Sequence, residues 1–600
     1  MKKSLYISAL ALMLAGTSFT SCSDFLDADN KTTANKTADD YLRLHPDEVL
    51  YEAYSSVYDF AATVAINEEG TDLYIPVRGR AASEFDQYTL NASNADVYSY
   101  YKALYKTINN ANGAIYYNAQ KINSAAYDAE AKFLRNWCYY LLTQQFGAVP
   151  YTLDYYKDYT TSFPRTPIAD IYASCISELE DVYNAVNDGN ITLSTKEGAP
   201  SKLAFAALIS KFYLAKAWDL SVNLEGENVA PVSGNEDFAA AAKWAAIASG
   251  NTDGSDPNAL SLTFEDKWSP NNVHNAEYIW GVEYNKATGI AHSLQNDYGN
   301  YYGECTKTGL KNVGSLHAQS EKSLYIFAPN DLRYEGTYMT TIYNYDNVTG
   351  WPNSGYYAAY KNPSYPKICY RYFPYYVTEA EVESELNSNK SKYAYSTDEG
   401  NNAPKAYILD ATNSIKFDFS EDGSFEKTPY TYSVLSTQVA GGICVKKFDD
   451  VENAERVTSN GDYRSIPVFH TSDMYLTAAE AYYMAGNTEL AEKYINAVRA
   501  RANAGDVSLT DMSAYAGTYR YSPAAGGFKA IDIILDERAR ECYAERTRWI
   551  DLRRTKQLVR YNVAYNKFLM PGITVKTLRP IPTNELSNNS GIGGDQNPGY

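Results

Sequence analysis

This 600-residue sequence has little positive charge and, beyond its N-terminal segment, no long apolar run. Lys and Arg number 53 against 72 Asp and Glu, which gives a formal net charge of −19 at pH 7. Nucleic acid is excluded as a partner, because binding phosphates requires a basic surface. A protein with several membrane-spanning helices is also excluded, because each such helix needs about 20 consecutive apolar residues.

Histidine and cysteine are scarce as well, with 5 and 7 residues. The histidines lack the spacing of zinc ligands and the cysteines form no CxxC motif, so no metal site built from them and no cofactor is predicted. The sequence does not decide whether carboxylates form a structural calcium site. Cys138 and Cys175 fall on apolar faces of predicted helices, where buried free thiols are common. The sequence does not decide whether any of the six cysteines after Cys22 pair.

Tyrosine is abundant, with 58 Tyr against 20 Phe and 7 Trp. Its side chain has an apolar face and a polar tip, so it suits wet surfaces and recognition sites. Hydrophobic residues at 45% and charged residues at 21% are typical of a globular protein with a large core. The composition therefore favours a folded, acidic protein with many amphipathic side chains.

The N-terminus has the layout of an export signal. A short basic start precedes an apolar stretch over residues 5–16, and small polar residues lead to Cys22. Because Phe-Thr-Ser-Cys at 19–22 is similar to a lipobox, we interpret residues 1–21 as a lipoprotein signal peptide and Cys22 as the lipidated residue. The alternative is ordinary secretion with Cys22 incidental. Residues 22–40 are small and polar, which predicts a flexible tether.

Residues 41–600 are predicted to form one domain with three regions. Over 41–250, apolar residues recur at three- and four-residue steps, which is typical of helices. Residues 255–465 are rich in Gly, Pro, Asn and Tyr, with strand-like runs at 278–282 and 443–448. We interpret this second region as an irregular ligand-binding subdomain laid over a helical base.

The third region, residues 466–600, opens with the pattern of a helical hairpin. Thr471 or Ser472 is expected to cap the first helix, and Gly486-Asn487 turns the chain into the second helix. Small residues at the crossing and a tight turn are typical of tetratricopeptide (TPR) hairpins. The predicted fold is therefore mostly α, with TPR-like helical hairpins and a loop-rich subdomain of small strands inserted over them.

Charged and proline-containing motifs make the sequence similar to a known family. DERARE stands at 536–541 and ERTRWIDLRR at 545–554, followed by PIP at 580–582 and QNPGY at 596–600. Together with YLTAAEA at 475–481 and the lipoprotein-like start, these motifs resemble the SusD/RagB family of nutrient-binding outer-membrane lipoproteins. The resemblance implies the SusD-like fold over essentially the whole chain.

The resemblance also implies a function. Such proteins are anchored to the outer membrane at the cell surface, bind poly- or oligosaccharides, and deliver them to a TonB-dependent transporter of the SusC type without catalysis. A family member that binds peptides or another nutrient is an alternative. A surface glycoside hydrolase is a further alternative, but it needs two carboxylates about 5–10 Å apart across a cleft, and no motif singles out such a pair. Which glycan is bound is left open.

The charged motif near the C-terminus is interpreted as structural rather than catalytic. Charges three and four residues apart on a helix form ion pairs, and such networks imitate catalytic clusters. Where family sequences usually have Arg and Glu, this chain has His470 and Asp473, which alters a local salt bridge. The residues of the expected network are Glu537, Arg538, Arg540, Glu541, Glu545, Arg546, Arg548, Asp551, Arg553 and Arg554, with Trp549 as their anchor.

Two stretches offer the aromatic platforms and directional polar groups that a glycan site needs. The first, residues 72–88, lies between predicted helices, and the resemblance places this loop at the binding face. The alternative for every tyrosine is that its ring packs against the protein core and only its hydroxyl is exposed. The candidates of the first stretch are Asp72, Tyr74 and Arg80. Those of the irregular region are Tyr301, Tyr302, Trp351, Tyr356 and Tyr357, beside Tyr284, His292 and Tyr360.

Overall fold

Helices make up most of the regular structure in the computed structural model. None of the helices in the described ranges is both long enough and apolar enough to cross a lipid bilayer. The structure describes residues 38–76, 83–157, 160–270, 272–298, 317–343, 368–393, 404–432, 443–448, 450 and 461–600. Its α-helices are α1 (Ala38–Leu44), α2 (Pro46–Val57), α3 (Ala65–Glu68), α4 (Glu84–Gln87), α5 (Ala95–Lys121), α6 (Ala125–Phe146), α7 (Ile168–Asn187), α8 (Lys202–Ser221), α9 (Glu236–Ala248), α10 (Phe264–Lys267), α11 (Leu294–Asp297), α12 (Glu321–Tyr325), α13 (Arg333–Thr337), α14 (Glu379–Ser388), α15 (Thr471–Ala485), α16 (Thr488–Arg501), α17 (Ser513–Thr518), α18 (Ala530–Glu541), α19 (Arg548–Arg554), α20 (Leu558–Tyr565) and α21 (Thr583–Asn588).

The two longest helices begin where the sequence supplies a capping side chain. Asn94 accepts a hydrogen bond from the amide of Val97 at the start of α5 (3.0 Å), and Ser124 caps α6 in the same way. These caps satisfy amides that have no partner inside the helix. Helix α6 ends at Gly147, whose φ of +71° is a conformation that favours glycine. The starts of both helices and the end of α6 therefore follow from local sequence chemistry.

Successive helices pack against one another as hairpins. Helix α5 packs against α6, α8 against α9, and α15 against α16. Helix α9 also packs against α15, which joins the N-terminal helices to the C-terminal hairpin. At this junction the buried indole of Trp218 donates a hydrogen bond to Glu480, 262 residues away, over 2.7 Å. The predicted architecture of TPR-like hairpins is confirmed.

The hairpin α15–α16 turns where predicted but is capped by a different residue. Gly486 ends α15 with a φ of +92°, as the Gly-Asn turn requires. The cap is the imidazole of His470, whose Nδ1 accepts a hydrogen bond from the amide of Asp473 over 3.1 Å. The expectation that Thr471 or Ser472 caps this helix is therefore wrong, because the helix starts one residue earlier than the hydroxyl pattern indicated.

Short strands form small sheets in the region that the sequence marked as irregular. Residues 278–282 form a strand as predicted, but the prediction of a strand at 443–448 is wrong, because only Val445 makes a single bridge to Tyr338. The strands are β1 (Tyr74–Pro76), β2 (Val149–Pro150), β3 (Arg165–Thr166), β4 (Tyr278–Val282), β5 (His317–Gln319), β6 (Thr341–Tyr343), β7 (Ile368–Pro374), β8 (Lys405–Leu409), β9 (Ser414–Phe419), β10 (Phe425–Tyr430) and β11 (Ile466–His470).

The largest sheet has five strands in the order β10-β9-β8-β7-β6, with β7 and β8 parallel and the other pairs antiparallel. One face packs against α14 through a small separate core that includes Phe373, Val382 and Phe417. Tyr372 and Tyr407 stack on the other side and belong to the main core. The sheet is thus a layer attached to the helical base, consistent with the predicted arrangement.

The described cysteines support the prediction for the helical region. Cys138 of α6 and Cys175 of α7 are free thiols with no exposed surface, as expected from their apolar helix faces. Cys542 is also a buried free thiol. Burial raises the pKa of all three thiols, so they stay protonated at neutral pH and behave as small apolar side chains.

Candidate functional site

The structure places the first predicted ligand residue, Asp72, inside the protein. Its carboxylate has no exposed surface and binds the guanidinium of Arg548 and the ammonium group of Lys322, each at 2.7 Å. These two cations hold the pKa of Asp72 well below its usual range, although burial alone would raise it. Asp72 therefore serves as a structural ion-pair partner here, which does not agree with its assignment as a glycan contact.

Tyr74 is also buried, with 4% of its surface exposed. Its ring packs against Tyr298 and Tyr543, with ring centroids 5.5 and 5.1 Å away. This is the packing alternative for a tyrosine, and it leaves no face of the ring for a sugar. The remaining candidates lie outside the described residues: Arg80, Tyr301, Tyr302, Trp351, Tyr356 and Tyr357, as does the lipidation candidate Cys22.

The charged motif near the C-terminus forms a buried ion-pair network, as predicted. Glu537 is contacted by three guanidinium groups, those of Arg333, Arg499 and Arg540. They lower the pKa of Glu537 far below its usual range despite complete burial. Glu541 is shared in the same way by Lys267 and Arg501. All of these carboxylates are satisfied from inside the protein, so the network is structural.

His470 and Asp473, the two positions that depart from the family pattern, find their partners within this network. Asp473 binds Lys211 at 2.8 Å and Arg538 at 3.0 Å. The imidazole Nε2 of His470 lies 2.7 Å from Glu545. Asp473 therefore pairs with two cations and His470 lies within hydrogen-bond distance of Glu545, so neither position leaves a gap, which agrees with the expectation that only a salt bridge is altered.

Among the residues that the structure describes, two groups of side chains have metal-ligand chemistry, and neither is assigned as a metal site. His470, Cys542 and Glu545 converge, but the ammonium group of Lys267 lies 3.2 Å from His470 and repels a cation. Glu197, His274 and Glu283 form a second group, which is partly exposed. In that group the carboxylate of Glu283 already accepts hydrogen bonds from the hydroxyls of Tyr278 and Ser465.

A cavity of about 560 Å³ lies where the helical base meets the irregular region. Pockets of this size hold a drug-sized molecule, which corresponds to a short oligosaccharide. Exposed and partly buried residues form its rim, whereas Val64, Ala65, Tyr284, His292 and His317 are buried. The lining consists of Tyr58, Ala62, Thr63, Val64, Ala65, Asp96, Tyr284, Ala291, His292, Ser293, Asp297, His317 and Gly461.

One wall of the cavity is a row of three aromatic rings. The ring of Tyr58 packs on Tyr284 with centroids 4.9 Å apart, and Tyr284 meets the edge of His292, also at 4.9 Å. Tyr58 is partly exposed, whereas the other two rings are buried behind it. The hydroxyl of Tyr58 donates a hydrogen bond to the backbone carbonyl of Glu283 over 2.8 Å. The partly exposed ring is thus held by a neighbouring ring and by a hydrogen bond at its hydroxyl.

His292 is fixed in one orientation and in its neutral form. Its Nε2 lies 2.8 Å from the carbonyl of Arg464, so it must carry the proton, and Nδ1 accepts from the amide of Leu294. Burial lowers the pKa of His292 to about 3, so the ring is uncharged at neutral pH. It contributes shape and rigidity to the wall rather than charge.

His317, a buried residue of the lining, is oriented by a carboxylate. Its Nε2 lies 2.8 Å from Glu69, and its Nδ1 has no hydrogen-bond partner within the part of the chain that the structure describes. The hydroxyl of Tyr284 has none either. At the rim, Ser293 donates a hydrogen bond to the carboxylate of Asp297. The cavity therefore combines an aromatic wall with carboxylate, hydroxyl and imidazole groups.

Sequence reasoning named two lining residues, Tyr284 and His292, and missed Tyr58, His317 and the two aspartates. No local signal identifies the missed residues, because a Tyr next to a helix end and an isolated His are common in any fold. Tyr58 follows α2 and Tyr284 follows β4, and the two rings meet only in the folded chain. The site is a product of tertiary structure rather than of a motif.

The fold and this cavity define a helical-hairpin protein with an open, aromatic-walled pocket. A sequence profile of the SusD family matches residues 244–600, and one described as "Starch-binding associating with outer membrane" matches residues 24–214. The chain belongs to the SusD family. A curated relative, SusD-like protein P25 of Formosa agariphila, is 24% identical over 248 residues. That match covers 39% of this chain and 42% of the relative, so it spans less than half of the relative's length.

Solved structures show the same fold. A SusD superfamily protein from Parabacteroides distasonis superposes with a TM-score of 0.62 at 16% identity, covering 94% of this chain and 100% of that one. A structure titled "Laminarin binding SusD-like protein" gives 0.59 at 18% identity, covering 93% and 99%. Surface glycan-binding protein A from Bacteroides uniformis gives 0.58 at 16% identity, covering 92% and 98%. At these identities the likeness establishes the fold alone.

Proposed function

We propose that this protein binds poly- or oligosaccharides at the cell surface and delivers them to a TonB-dependent transporter of the SusC type. Membership of the SusD family supports this, as do relatives of the same fold whose titles name laminarin and a xylogluco-oligosaccharide. The observation that carries the proposal is the cavity of about 560 Å³, because it joins an aromatic wall to polar groups. Sugars present CH faces and hydroxyl rims, which need this combination.

The proposed role is binding without catalysis, and the affinity is set by physical contacts. We expect an open site of this kind to have a net binding free energy of about 4–8 kcal/mol, which corresponds to dissociation constants of roughly millimolar to micromolar. Such an affinity suits a protein that must release its ligand to a transporter. Trp351 and the tyrosines near it stay candidates for additional platforms beyond the cavity.

Lipid anchoring at Cys22 is part of the same proposal. Ala38, the first described residue, lies 16 positions after Cys22, and the composition of the intervening residues predicts a flexible tether. A flexible chain of this length spans on average about 22 Å, since the end-to-end distance grows as roughly 5–6 Å times the square root of the residue number. The domain would therefore stay close to the membrane and to a transporter embedded in it.

The test is affinity electrophoresis of residues 23–600 in gels containing starch, laminarin or xyloglucan. A second sample carries Ala291→Trp, which fills the cavity from its exposed rim. The control is Ala500→Trp, a matched change at an exposed position of α16. We expect one glycan to retard the wild type and the control but not A291W.

Two results would contradict the proposal. Retardation by no glycan, together with binding of peptides, would favour the peptide-binding alternative. Release of reducing sugars from the retarding glycan would show an enzyme, since Asp96 and Asp297 both line the cavity and a glycosidase uses two carboxylates.

A further inference from the structure

Exposed apolar side chains are concentrated on one surface next to the start of the described chain. Six large hydrophobic residues on α1, at the C-terminal end of α5 and in the segment 153–157 are exposed. Single exposed apolar residues are normal in any protein, whereas a cluster of them indicates a contact surface. The residues of this N-terminal patch are Tyr41, Leu44, Tyr116, Ile122, Leu153 and Tyr156.

Contacts between the three segments hold the patch together. The hydroxyl of Tyr117 in α5 donates a hydrogen bond to the carboxylate of Asp39 in α1 over 2.7 Å. Lys157 of the third segment forms an ion pair with the same carboxylate. Further along, the ammonium group of Lys121 donates to the backbone carbonyl of Leu44. Helix α1 therefore lies against the end of α5, with the third segment beside both.

The chain that leads to Cys22 enters the domain at this patch. Ala38 begins α1, and the next residue, Asp39, makes the contacts to α5 and to the third segment. A flexible tether from Cys22 to Ala38 spans on average about 22 Å. So short a tether gives the patch an effective concentration of about the millimolar range at the surface that holds Cys22, so even a weak contact is populated.

The side chains of the patch suit the head-group region of a lipid bilayer. A tyrosine has an apolar ring and a polar tip, and tyrosine is enriched where a membrane meets water. Leu44 and Ile122 supply aliphatic groups that the boundary of the acyl chains can take up. Arg43 and Lys121 are exposed beside them, with apolar stems and charged tips that reach water.

Electrostatic attraction is not the basis of such a contact. Asp40, Asp47 and Glu48 are exposed on α1 and α2, so the surroundings of Arg43 and Lys121 carry no excess of positive charge. A contact made by apolar groups does not depend on anionic lipid and is not screened by salt. We therefore expect it on a neutral bilayer and at high ionic strength.

We propose that the N-terminal patch lies on the lipid surface to which Cys22 is anchored, with Tyr41, Leu44, Tyr116 and Ile122 in the head-group region. The contact gives the anchored domain a fixed orientation, because it determines which side of the helical base faces the membrane. This inference rests on the anchoring that is part of the proposed function. It does not depend on which ligand is bound.

The test holds residues 23–600 on phosphatidylcholine vesicles through an N-terminal hexahistidine tag and a nickel-chelating lipid, so that the tag replaces the acyl anchor. A photoreactive group on the lipid head groups labels whatever touches the surface, and mass spectrometry locates the labelled residues. A domain held in one orientation is labelled in one place. We expect α1 and residues 116–122 to be labelled at least about fivefold more than the exposed residues of α16.

A double variant tests the apolar basis of the contact. Leu44→Ser with Ile122→Ser removes both aliphatic side chains and should reduce the labelling of α1 at least about threefold, since each buried CH₂ contributes about 0.8 kcal/mol. The matched control is Leu203→Ser with Leu332→Ser, two leucines that are similarly exposed on other segments. The control should be labelled as the wild type is, and high salt should change neither protein.

Two results would overturn the inference. Label spread evenly over the exposed segments would show that the patch does not rest on lipid, and would favour a protein partner for it. Loss of the label at high salt would show an electrostatic contact instead of an apolar one. The tag supplies the tether in this experiment, so failure of the proposed anchoring appears separately, as retention of Cys22→Ser in the membrane fraction.

Discussion

The guanidinium group of Arg548 binds the carboxylate of Asp72 at two points, with Nε 2.7 Å from Oδ1 and Nη2 2.7 Å from Oδ2. The two residues are 476 positions apart, so this pair ties the N-terminal region to the C-terminal family motif. Lys322 bridges the same carboxylate to Asp536, and all four side chains are at most 3% exposed. The motif is thus part of the tertiary framework that holds the regions together.

We expect Asp72→Asn to destabilise the protein by about 3–5 kcal/mol, because it leaves Arg548 and Lys322 buried with too little opposite charge. Chemical denaturation followed by circular dichroism measures this. Asp59→Asn, which removes one of two exposed carboxylate partners of Lys106, is the control and should cost under about 1 kcal/mol. An Asp72→Asn protein as stable as the wild type, but with weakened glycan binding, would instead support the sequence-based assignment of Asp72 as a ligand contact.

Because of Glu68, we expect the free energy of unfolding to decrease as the pH rises. Its carboxyl group is buried, neither oxygen has a hydrogen-bond partner in good geometry, and burial raises its pKa to about 8, although Arg546 opposes the rise. The folded protein therefore keeps a proton that the unfolded chain has lost above pH 4.5, the ordinary pKa of a glutamate. Its contribution to stability is complete below that value and decreases up to about pH 8, by up to about 1.4 kcal/mol per pH unit.

Glu68→Gln removes the titrating carboxyl group. The free energy of unfolding of the variant should therefore change less with pH, over the same pH range, than that of the wild type. The free energy of unfolding at pH 5, 7 and 9 is the measurement, and the variant is expected to be the more stable protein at pH 9. Asp86 is one contributor to the pH dependence that remains in both proteins, because burial also raises its pKa to about 8. Parallel profiles for the variant and the wild type would show that Glu68 does not hold a proton in the folded state.

Gly281 should tolerate no side chain, because a Cβ atom there would lie 2.3 Å from the carbonyl oxygen of Ile466 on the paired strand β11. Gly281→Ala is therefore expected to cost about 1–3 kcal/mol, as overpacking in a core does. Gly517→Ala is the matched control, since open space surrounds it in α17; its stability should be unchanged or higher by up to about 1 kcal/mol. Equal midpoints of thermal unfolding for both variants would contradict the close approach of β4 and β11.

Cys22→Ser should release the protein from the membrane fraction and abolish incorporation of a labelled fatty acid. Stable anchoring depends on acyl chains, each buried CH₂ contributing about 0.8 kcal/mol, and serine at this position cannot carry the thioether. Thr33→Ala in the tether is the control and should stay membrane-bound. Retention of C22S in the membrane fraction after a salt wash would favour secretion with another means of attachment.

The sequence by itself determined the helical regions, the hairpin turn at Gly486 and the family. These follow from local rules, because helix periodicity, glycine at a left-handed turn and charges spaced along a helix are properties of short segments. The structural role of the charged motif was also predictable, since closely spaced opposite charges on one helix usually pair. Strand β4 was found for the same reason, as a short apolar run between turn residues.

The candidate site was decided by tertiary structure. Asp72 and Tyr74 have the chemistry of ligand contacts, but partners from distant segments, Arg548 and Tyr543, draw both side chains into the interior. The cavity wall also depends on remote partners. It forms because Tyr58 and Tyr284 pack against each other although 226 positions separate them in the sequence. Whether a side chain is buried, and what it contacts, depends on which remote segments pack together. Residue type and spacing along the chain do not predict that packing.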